Sequence, residues 1–198
     1  MNFHLTTNYN KKTDEDLMLF IIKGKEKAFN ELYKRYSKRL FLFFYQKLHQ
    51  DNDKAQDLLQ DLFLKIIEKA ETFNHSKKFS TWIYSIAYNM CKNEYRNNNT
   101  KSNKTTRLDS LNLNNKIIAP HITNIEKDYT LFKQHLNTEL NKLDEKHSLT
   151  FTLKHQDNLS IKEISEIMEC SEGTVKSRLF YTSKKLSVTL KRFNSNNF

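Results

Sequence analysis

Residues 171–186, which read SEGTVKSRLFYTSKKL, decide how the C-terminal part of this chain is interpreted. Ser171 is a favourable N-cap residue, and Val175, Leu179 and Leu186 then recur at helical spacing. The other sides of the predicted helix carry Lys, Arg and Ser. The stretch is therefore either an ordinary amphipathic helix or a helix that reads DNA, and the neighbouring sequence has to distinguish the two.

A second, shorter helix is predicted directly before it. Ser160 with Glu163 forms a capping box, and only Cys170 separates the two helices. The apolar face of the shorter helix consists of Ile161, Ile164, Ile167 and Met168. A short helix, a tight turn and a second capped helix are typical of a DNA-binding helix-turn-helix. Residues 170–198 carry six basic residues and one acidic residue, which favours DNA binding over a helical hairpin with a solvated basic face.

The second helix of this motif offers a defined set of polar side chains to DNA. They are Thr174, Lys176, Ser177, Arg178, Tyr181 and Lys184. Because the N-terminal turn of such a helix enters the major groove, we expect Thr174, Ser177 and Arg178 to reach base edges. Lys176, Lys184 and Lys185 suit phosphate contacts instead.

The composition agrees with a helical protein that has a polyanionic partner. The chain of 198 residues has a formal net charge of +10, which favours nucleic acid and leaves an acidic membrane surface as the other option. It contains only 2 Gly and 1 Pro, fewer than sheet-rich folds use in their turns. We therefore predict an all-α fold, with room for one domain or two small ones.

Several classes of site and location are disfavoured by the same sequence. Cys91 and Cys170 are too far apart for a metal motif and too few for a disulfide framework, so we expect two thiols in a reducing cytoplasm. The N-terminus lacks the apolar core of a signal peptide, and the longest apolar run, Leu40–Tyr45, is too short to span a membrane. The seven His residues are scattered. We expect a cytoplasmic protein with no membrane insertion, no cofactor, no metal site and no catalytic residues.

Two helical blocks flank a polar middle. Residues 97–116 are rich in Asn, Lys and Thr, and a stretch so poor in apolar residues is predicted to be a flexible linker. In the first block, a helix is predicted to start at Thr13 and to be interrupted near Gly24. Further helices are predicted over about 29–44, 53–70 and 80–96, and in the second block from about 125, over 160–169 and over 171–193. This predicts two small helical domains joined by a flexible linker, the second containing the helix-turn-helix.

Charge alternates along these blocks. Residues 74–116 and 170–198 are basic, whereas residues 51–71 carry six acidic and three basic residues. Residues 139–169 carry seven acidic and four basic residues. A simple polyanion binder would not need the two acidic stretches.

The helix predicted from FSTWIYSIAYNMCKNEYRN, residues 79–97, interleaves aromatic and basic residues. One side carries Ile83, Ile86, Ala87 and Met90 and suits a core. Another side carries Tyr84, Tyr88, Asn89, Lys92, Tyr95 and Arg96, and the preceding loop adds Lys77 and Lys78. Rings that stack on bases beside cations that follow phosphates suit single-stranded nucleic acid. The alternative is that the rings belong to the core, which the position of Trp82 next to the helix start favours.

Three stretches, in their order along the chain, resemble a known family. They are DKAQDLLQDLFLKI (53–66), FSTWIYSIAYNMCKNEYR (79–96) and LSIKEISEIMECSEGTVKSRLFYTSKKL (159–186). The chain resembles the extracytoplasmic-function sigma factors, which are compact members of the sigma-70 family of bacterial RNA polymerase. The resemblance implies that residues 13–97 are sigma region 2, residues 98–122 the linker and residues 123–193 sigma region 4.

The resemblance also implies two partners and the residues that bind them. Core RNA polymerase would be bound through the clamp of its largest subunit and the flap of its second subunit. The positions that match the clamp-binding helix are Asp57, Leu58, Gln60, Asp61 and Phe63, which would explain the first acidic stretch.

Promoter DNA is the other implied partner, single-stranded at the −10 element and duplex at the −35 element. The loop Phe73–Ser80 and the residues Lys77, Lys78, Trp82, Tyr84, Tyr88, Asn89, Lys92 and Arg96 would bind the −10 strand. The helix from Ser171 would read the −35 element in the major groove. An anti-sigma factor is a further partner that the resemblance allows.

Two other functions compete with this interpretation. A conventional helix-turn-helix regulator would bind duplex operator DNA without polymerase and would not need exposed rings at 84, 88 and 95. An enzyme acting on nucleic acid would need a catalytic motif, and we find no Gly-rich phosphate loop, no H-x-E with C-x-x-C and no carboxylate cluster with metal-ligand spacing. We expect a sigma factor that directs core polymerase to promoters and helps to open the −10 region.

Overall fold

The fold is known from a computed structural model, which describes residues 7–101 and 124–193. Within these ranges the chain forms eight α-helices, a few 3-10 turns and no β-strand, as the all-α prediction requires. We call residues 7–101 the N-terminal module and residues 124–193 the C-terminal module. Most of the predicted linker, residues 102–122, lies outside the described residues.

Four helices build the N-terminal module: α1 (Asp14–Ile22), α2 (Glu26–Lys47), α3 (Asn52–Glu68) and α4 (Phe79–Lys101). Thr13 caps α1, because its hydroxyl oxygen accepts the Asp16 N–H at 3.1 Å, and Asp51 caps α3 in the same way. Gly24 has φ +69°, a left-handed conformation that favours glycine, and it separates α1 from α2 as predicted.

The core of this module lies between α2, α3 and α4. Leu40, Leu62 and Ile83 are fully buried there, one from each helix. The ring of Phe43 contacts Tyr84 edge-to-face, with centroids 5.6 Å apart. Cys91 is also buried, and burial raises the pKa of its thiol to about 12. The apolar faces of the four helices thus meet in one core, from which α4 extends toward the C-terminal module.

The C-terminal module consists of α5 (Asn124–Asn141), α6 (Glu145–His155), α7 (Ile161–Ile167) and α8 (Glu172–Thr189). The capping box of Ser160 and Glu163 is present, and Ser171 caps α8 by accepting the Thr174 N–H at 3.1 Å. The residues buried between α6, α7 and α8 include Leu149, Leu153, Ile164, Ile167 and Val175. The predicted helix-turn-helix is therefore formed by α7 and α8.

Helix ends differ from the predictions in two places. Helix α4 continues to Lys101, four residues into the predicted linker, because the polar sequence NNNTK contains no Gly or Pro to stop it. Helix α8 ends at Thr189, and residues 191–193 form a 3-10 turn instead of its predicted last turn.

Candidate nucleic-acid interface

The predicted single-strand site lies on α4 and the loop before it. Lys77, Lys78, Asn89, Lys92 and Arg96 are all exposed, whereas Trp82 and Tyr88 are half-buried and Tyr84 is buried. The cations of the prediction therefore lie on the surface, while the aromatic residues are covered to different extents.

An aromatic cluster supports the loop that precedes α4. The Trp82 ring lies 5.2 Å from Phe73 and 5.9 Å from Phe79, centroid to centroid, and both Phe side chains are buried. The Phe79 N–H donates to the Glu15 carboxylate of α1 at 2.8 Å, which fixes the start of α4. The cluster leaves residues 74–78 of the loop exposed on a rigid base.

Tyr84 corrects one prediction. Its side chain is 1% exposed and packs on Phe43, so in this structure it cannot stack on a base. Its hydroxyl forms no hydrogen bond but faces Asp157 of the C-terminal module. Burial raises the pKa of Asp157, and the interaction with Tyr84 opposes that rise. The spacing that placed Tyr84 with the polar side of α4 did not reveal that two elements cover this position, one from each module.

Tyr88 and Tyr95 occupy the covered side of α4 beyond Tyr84. The Tyr88 ring is approached by two cations, with Lys47 Nζ 5.0 Å and Lys92 Nζ 5.7 Å from its centroid. The Tyr95 hydroxyl donates to the backbone carbonyl of Lys47 and lies 3.5 Å from a Glu145 carboxylate oxygen. Both rings are half-buried, so the prediction of freely exposed rings at 84, 88 and 95 is wrong for Tyr84 and holds only partly for the other two.

Acidic residues of the C-terminal module pair with cations of the N-terminal module. Glu163 lies 3.2 Å from Lys78 Nζ, and Glu169 lies 2.8 Å from Lys92 Nζ. Burial alone would raise the pKa of Glu163, but hydrogen bonds from Ser160 and the charge of Lys78 outweigh it and hold that pKa below its usual value. Glu163 is therefore ionised at neutral pH.

A third pair connects the far end of α2 to α6. Lys47 is only 5% exposed, and its ammonium group donates to the Glu145 carboxylate. Sequence patterns did not single out either residue, because a lysine at the end of an amphipathic helix is normally solvated. The one available signal was the acidic stretch 139–169, which contains Glu145, Glu163 and Glu169.

The predicted polymerase-binding residues lie on α3. Asp57, Gln60 and Asp61 are exposed and Leu58 is half-buried. Phe63 is 4% exposed and packs against the rings of Phe29 and Tyr33. The prediction that Phe63 binds polymerase directly is therefore wrong, because its side chain belongs to the core.

Two apolar side chains extend the exposed face of α3. Leu64 is 57% exposed and Ile67 is 50% exposed. Ile66 is 1% exposed and lies in the core, so the apolar stripe of α3 ends between these two adjacent residues. Asp57, Asp61 and Leu64 are spaced by four and three residues, so they share one face with both charge and apolar area.

The predicted duplex-reading residues lie along α8. Ser171, Lys176, Ser177, Tyr181 and Lys184 are exposed, and Thr174 and Arg178 are half-buried. The guanidinium group of Arg178 lies 3.7 Å from Cys170 Sγ, so it folds back over the turn between α7 and α8. The exposed side of α8 thus carries the cations Lys176 and Lys184, whereas Arg178 lies against the turn.

Two other kinds of feature are absent from the described residues. Within residues 7–101 and 124–193, no group of three or more His, Cys, Asp and Glu side chains is placed to hold a metal ion. None of the helices in the same ranges is long and apolar enough to cross a membrane.

Comparison with known proteins identifies both modules. A family model for Sigma-70 region 2 matches residues 32–100, and a model for Sigma-70 region 4 matches residues 134–186. Together the two matched segments cover more than half of the chain.

Relatives and solved structures give the same result over most of the chain. The ECF RNA polymerase sigma-E factor of Haemophilus influenzae is 29% identical over 176 residues, covering 85% of this chain and 90% of that protein. The sigma-E factor of Escherichia coli K12 is 29% identical over 173 residues, with coverages of 85% and 89%.

The fold is shared with two solved structures. The sigma factor RpoE of Bartonella quintana, solved with the anti-sigma factor NepR, has a TM-score of 0.65 at 21% identity, covering 83% of this chain and 98% of that one. CnrH, solved with the cytosolic domain of CnrY, has a TM-score of 0.62 at 19% identity, with coverages of 91% and 99%. The two modules, their order and these matches lead to one conclusion: the chain belongs to the sigma-70 family and is an RNA polymerase sigma factor of the extracytoplasmic-function group.

Proposed function

We propose that this sigma factor binds core RNA polymerase and promoter DNA through three separate faces. The face of α3 binds the polymerase clamp, the face of α4 with its preceding loop binds the −10 single strand, and α8 reads the −35 duplex. The observation that carries this division is the separation of charge: the exposed face of α3 is acidic, whereas most of the exposed charged side chains of α4 and α8 are basic. An acidic face would repel DNA and suits a protein partner.

The α3 face has the make-up of a protein-binding surface. Asp57, Gln60 and Asp61 supply charge and hydrogen bonds, and exposed Leu64 supplies apolar area. Residues 13–97 would act as sigma region 2 and residues 123–193 as sigma region 4, whose contact with the flap of the second polymerase subunit is part of the proposal.

The −10 site combines the exposed cations of α4 with the aromatic base of its loop. Lys77, Lys78, Lys92 and Arg96 would follow the phosphates, while Asn89 and the partly covered rings of Trp82 and Tyr88 would contact bases. This side of α4 has to be uncovered before it can bind, because the C-terminal module lies against it in the free chain.

The −35 site divides into base-reading and phosphate-binding side chains. Arg178 lies near the start of α8, where a recognition helix meets base edges, and Lys184 lies two turns further along. We expect Arg178→Ala to cost about 1–3 kcal/mol on the correct −35 duplex and to relax discrimination at one base pair. Lys184→Ala should weaken binding equally on all duplexes and lower the salt dependence by about one released ion. Anisotropy titrations on a set of singly substituted duplexes measure both, and a sequence-specific loss with Lys184→Ala would contradict the assignment.

Reconstituted transcription tests the proposed function directly. The purified chain is mixed with core polymerase and a promoter-bearing duplex, and the start sites are mapped. We expect accurate initiation only when both proteins are present. A footprint by the chain alone on duplex DNA, without any effect on core polymerase, would favour the conventional regulator instead.

The remaining partner and the location follow from the same proposal. A sigma factor works where polymerase is, so we place the chain in the cytoplasm. An anti-sigma factor is a reasonable third partner, because a fold relative was solved in complex with one.

A further inference from the structure

We propose that the acidic face of the C-terminal module, formed by Glu145, Asp157, Glu163 and Glu169, stands in for nucleic acid and masks the −10 face of α4 in the free chain. The inference rests on the proposed function of α4 and adds a form of self-regulation to it. Release of the mask, by polymerase holding the modules apart, would then precede binding of the −10 strand.

The first support is that two carboxylates contact lysines that are proposed to bind the phosphates of the −10 strand. Glu163 and Glu169 bind Lys78 and Lys92, at 3.2 and 2.8 Å. Both lysines are among the cations assigned to the backbone of the single strand. A carboxylate bound to a DNA-binding lysine competes with a phosphate for the same ammonium group, so the two ligands exclude each other.

The second support is that the same contact covers the ring side of α4. Thr81, one turn from Lys78, is 8% exposed, and its hydroxyl lies 3.4 Å from a Glu163 carboxylate oxygen. Further along, Tyr84 is buried with its hydroxyl facing Asp157. The mask therefore extends over the Thr81 hydroxyl and the hydroxyl end of Tyr84 as well as over the cations.

The third support lies at the far end of the contact. Lys47 is nearly buried and pairs with Glu145, while the Tyr95 hydroxyl of α4 lies against both residues. An acidic side chain of the C-terminal module thus meets a cation of the N-terminal module at three points along the contact. This arrangement gives a use to the acidic stretch 139–169, which a DNA-binding module would not need for DNA.

The strength of these contacts suits a reversible mask. The side chains of Lys78 and Lys92 are 70% and 47% exposed, so their ion pairs are weak and are screened by salt. A partner that holds the modules apart can therefore open these two pairs, and higher salt weakens them more than it weakens the nearly buried Lys47–Glu145 pair.

Charge neutralisation of the full chain tests the proposal. The variant Glu145→Gln/Glu163→Gln/Glu169→Gln removes the three carboxylates that pair with lysines, and Gln at 163 can still complete the capping box with Ser160. The matched control, Glu26→Gln/Glu68→Gln/Glu71→Gln, removes three exposed carboxylates of the N-terminal module. We expect the first variant to bind a fluorescein-labelled dT15 strand about tenfold more tightly than the control at low salt, because two exposed ion pairs and the less exposed Lys47–Glu145 pair are lost together. It should also have a larger radius of gyration in small-angle X-ray scattering.

Cross-linking of the unmodified chain supplies an independent readout. A water-soluble carbodiimide joins a lysine to a carboxylate in contact with it, and peptide mass spectrometry then identifies the pair. We expect Lys78–Glu163 and Lys92–Glu169 products at low salt, fewer at high salt and fewer when core polymerase is added.

The outcomes separate the mask from the proposed function. Absence of both cross-links, or equal dT15 affinity of the two triple variants, would overturn the mask even if the chain initiates transcription normally with core polymerase. Failure of initiation with core polymerase would instead contradict the proposed function, whatever the cross-links show.

Discussion

Replacement of Asp61 by Arg is expected to reduce the affinity of the chain for core RNA polymerase by at least about 30-fold, or about 2 kcal/mol. Asp61 is exposed in the middle of α3, one turn from Asp57 and next to the exposed side chain of Leu64. Arginine there would reverse the charge of an acidic face that is proposed to bind the polymerase clamp. The repulsion and the unpaired charge both disfavour binding, and surface plasmon resonance with immobilised core polymerase measures the loss.

A matched control shows whether the effect belongs to the α3 face. Glu26→Arg makes the same change of charge at an exposed position on α2 and should leave polymerase affinity nearly unchanged. The affinity of α8 for a −35 duplex should be the same in both variants, since neither residue touches the C-terminal module. Equal losses of polymerase binding and duplex binding in Asp61→Arg would contradict the division into separate faces.

Replacement of Tyr84 by Ala is expected to destabilise the chain by about 3–5 kcal/mol, the cost of deleting a large buried ring. The ring is 1% exposed and packs on Phe43 in the centre of the N-terminal module, so its removal leaves a cavity in the core. Urea denaturation followed by circular dichroism measures the free energy of unfolding. A variant as stable as the wild type would show that Tyr84 is not a core residue in solution.

The conservative variant separates packing from hydrogen bonding. The Tyr84 hydroxyl forms no hydrogen bond in this structure and faces Asp157, so Tyr84→Phe keeps the ring and removes only that hydroxyl. We expect its stability to lie within about 1 kcal/mol of the wild type. A loss comparable to that of Tyr84→Ala would mean that the hydroxyl has a partner in solution.

The helices were predictable where a local signal marks them. Thr13, Ser160 and Ser171 each cap the helix that they were predicted to start, and Gly24 has the positive φ that explains the interruption after α1. These signals act over three or four residues, which is the range that a sequence pattern can resolve. The end of α8 has no Gly or Pro to mark it, and it was predicted four residues too late.

The burial of individual side chains was less predictable than the positions of the helices. Phe63 and Ile67 lie at the edges of the apolar stripe of α3, where a rotation of one residue exchanges buried and exposed positions. Tyr84 was misassigned for a different reason, since part of its cover comes from residues more than 70 positions away in the other module. Helical periodicity describes one helix at a time and carries no information about a second module placed against it.

The buried ammonium group of Lys47 restricts how this protein can be recombined with its relatives. Consider a chimera that joins this N-terminal module to a relative's C-terminal module without an acid at the place of Glu145. The Lys47 ammonium group would then be buried between the modules without an ion-pair partner. In such a hybrid the two modules would stay apart, because closing them would bury the Lys47 ammonium group without a carboxylate to pair with it. Exchange of promoter specificity between these proteins therefore requires that the Lys47–Glu145 pair be kept together in the hybrid.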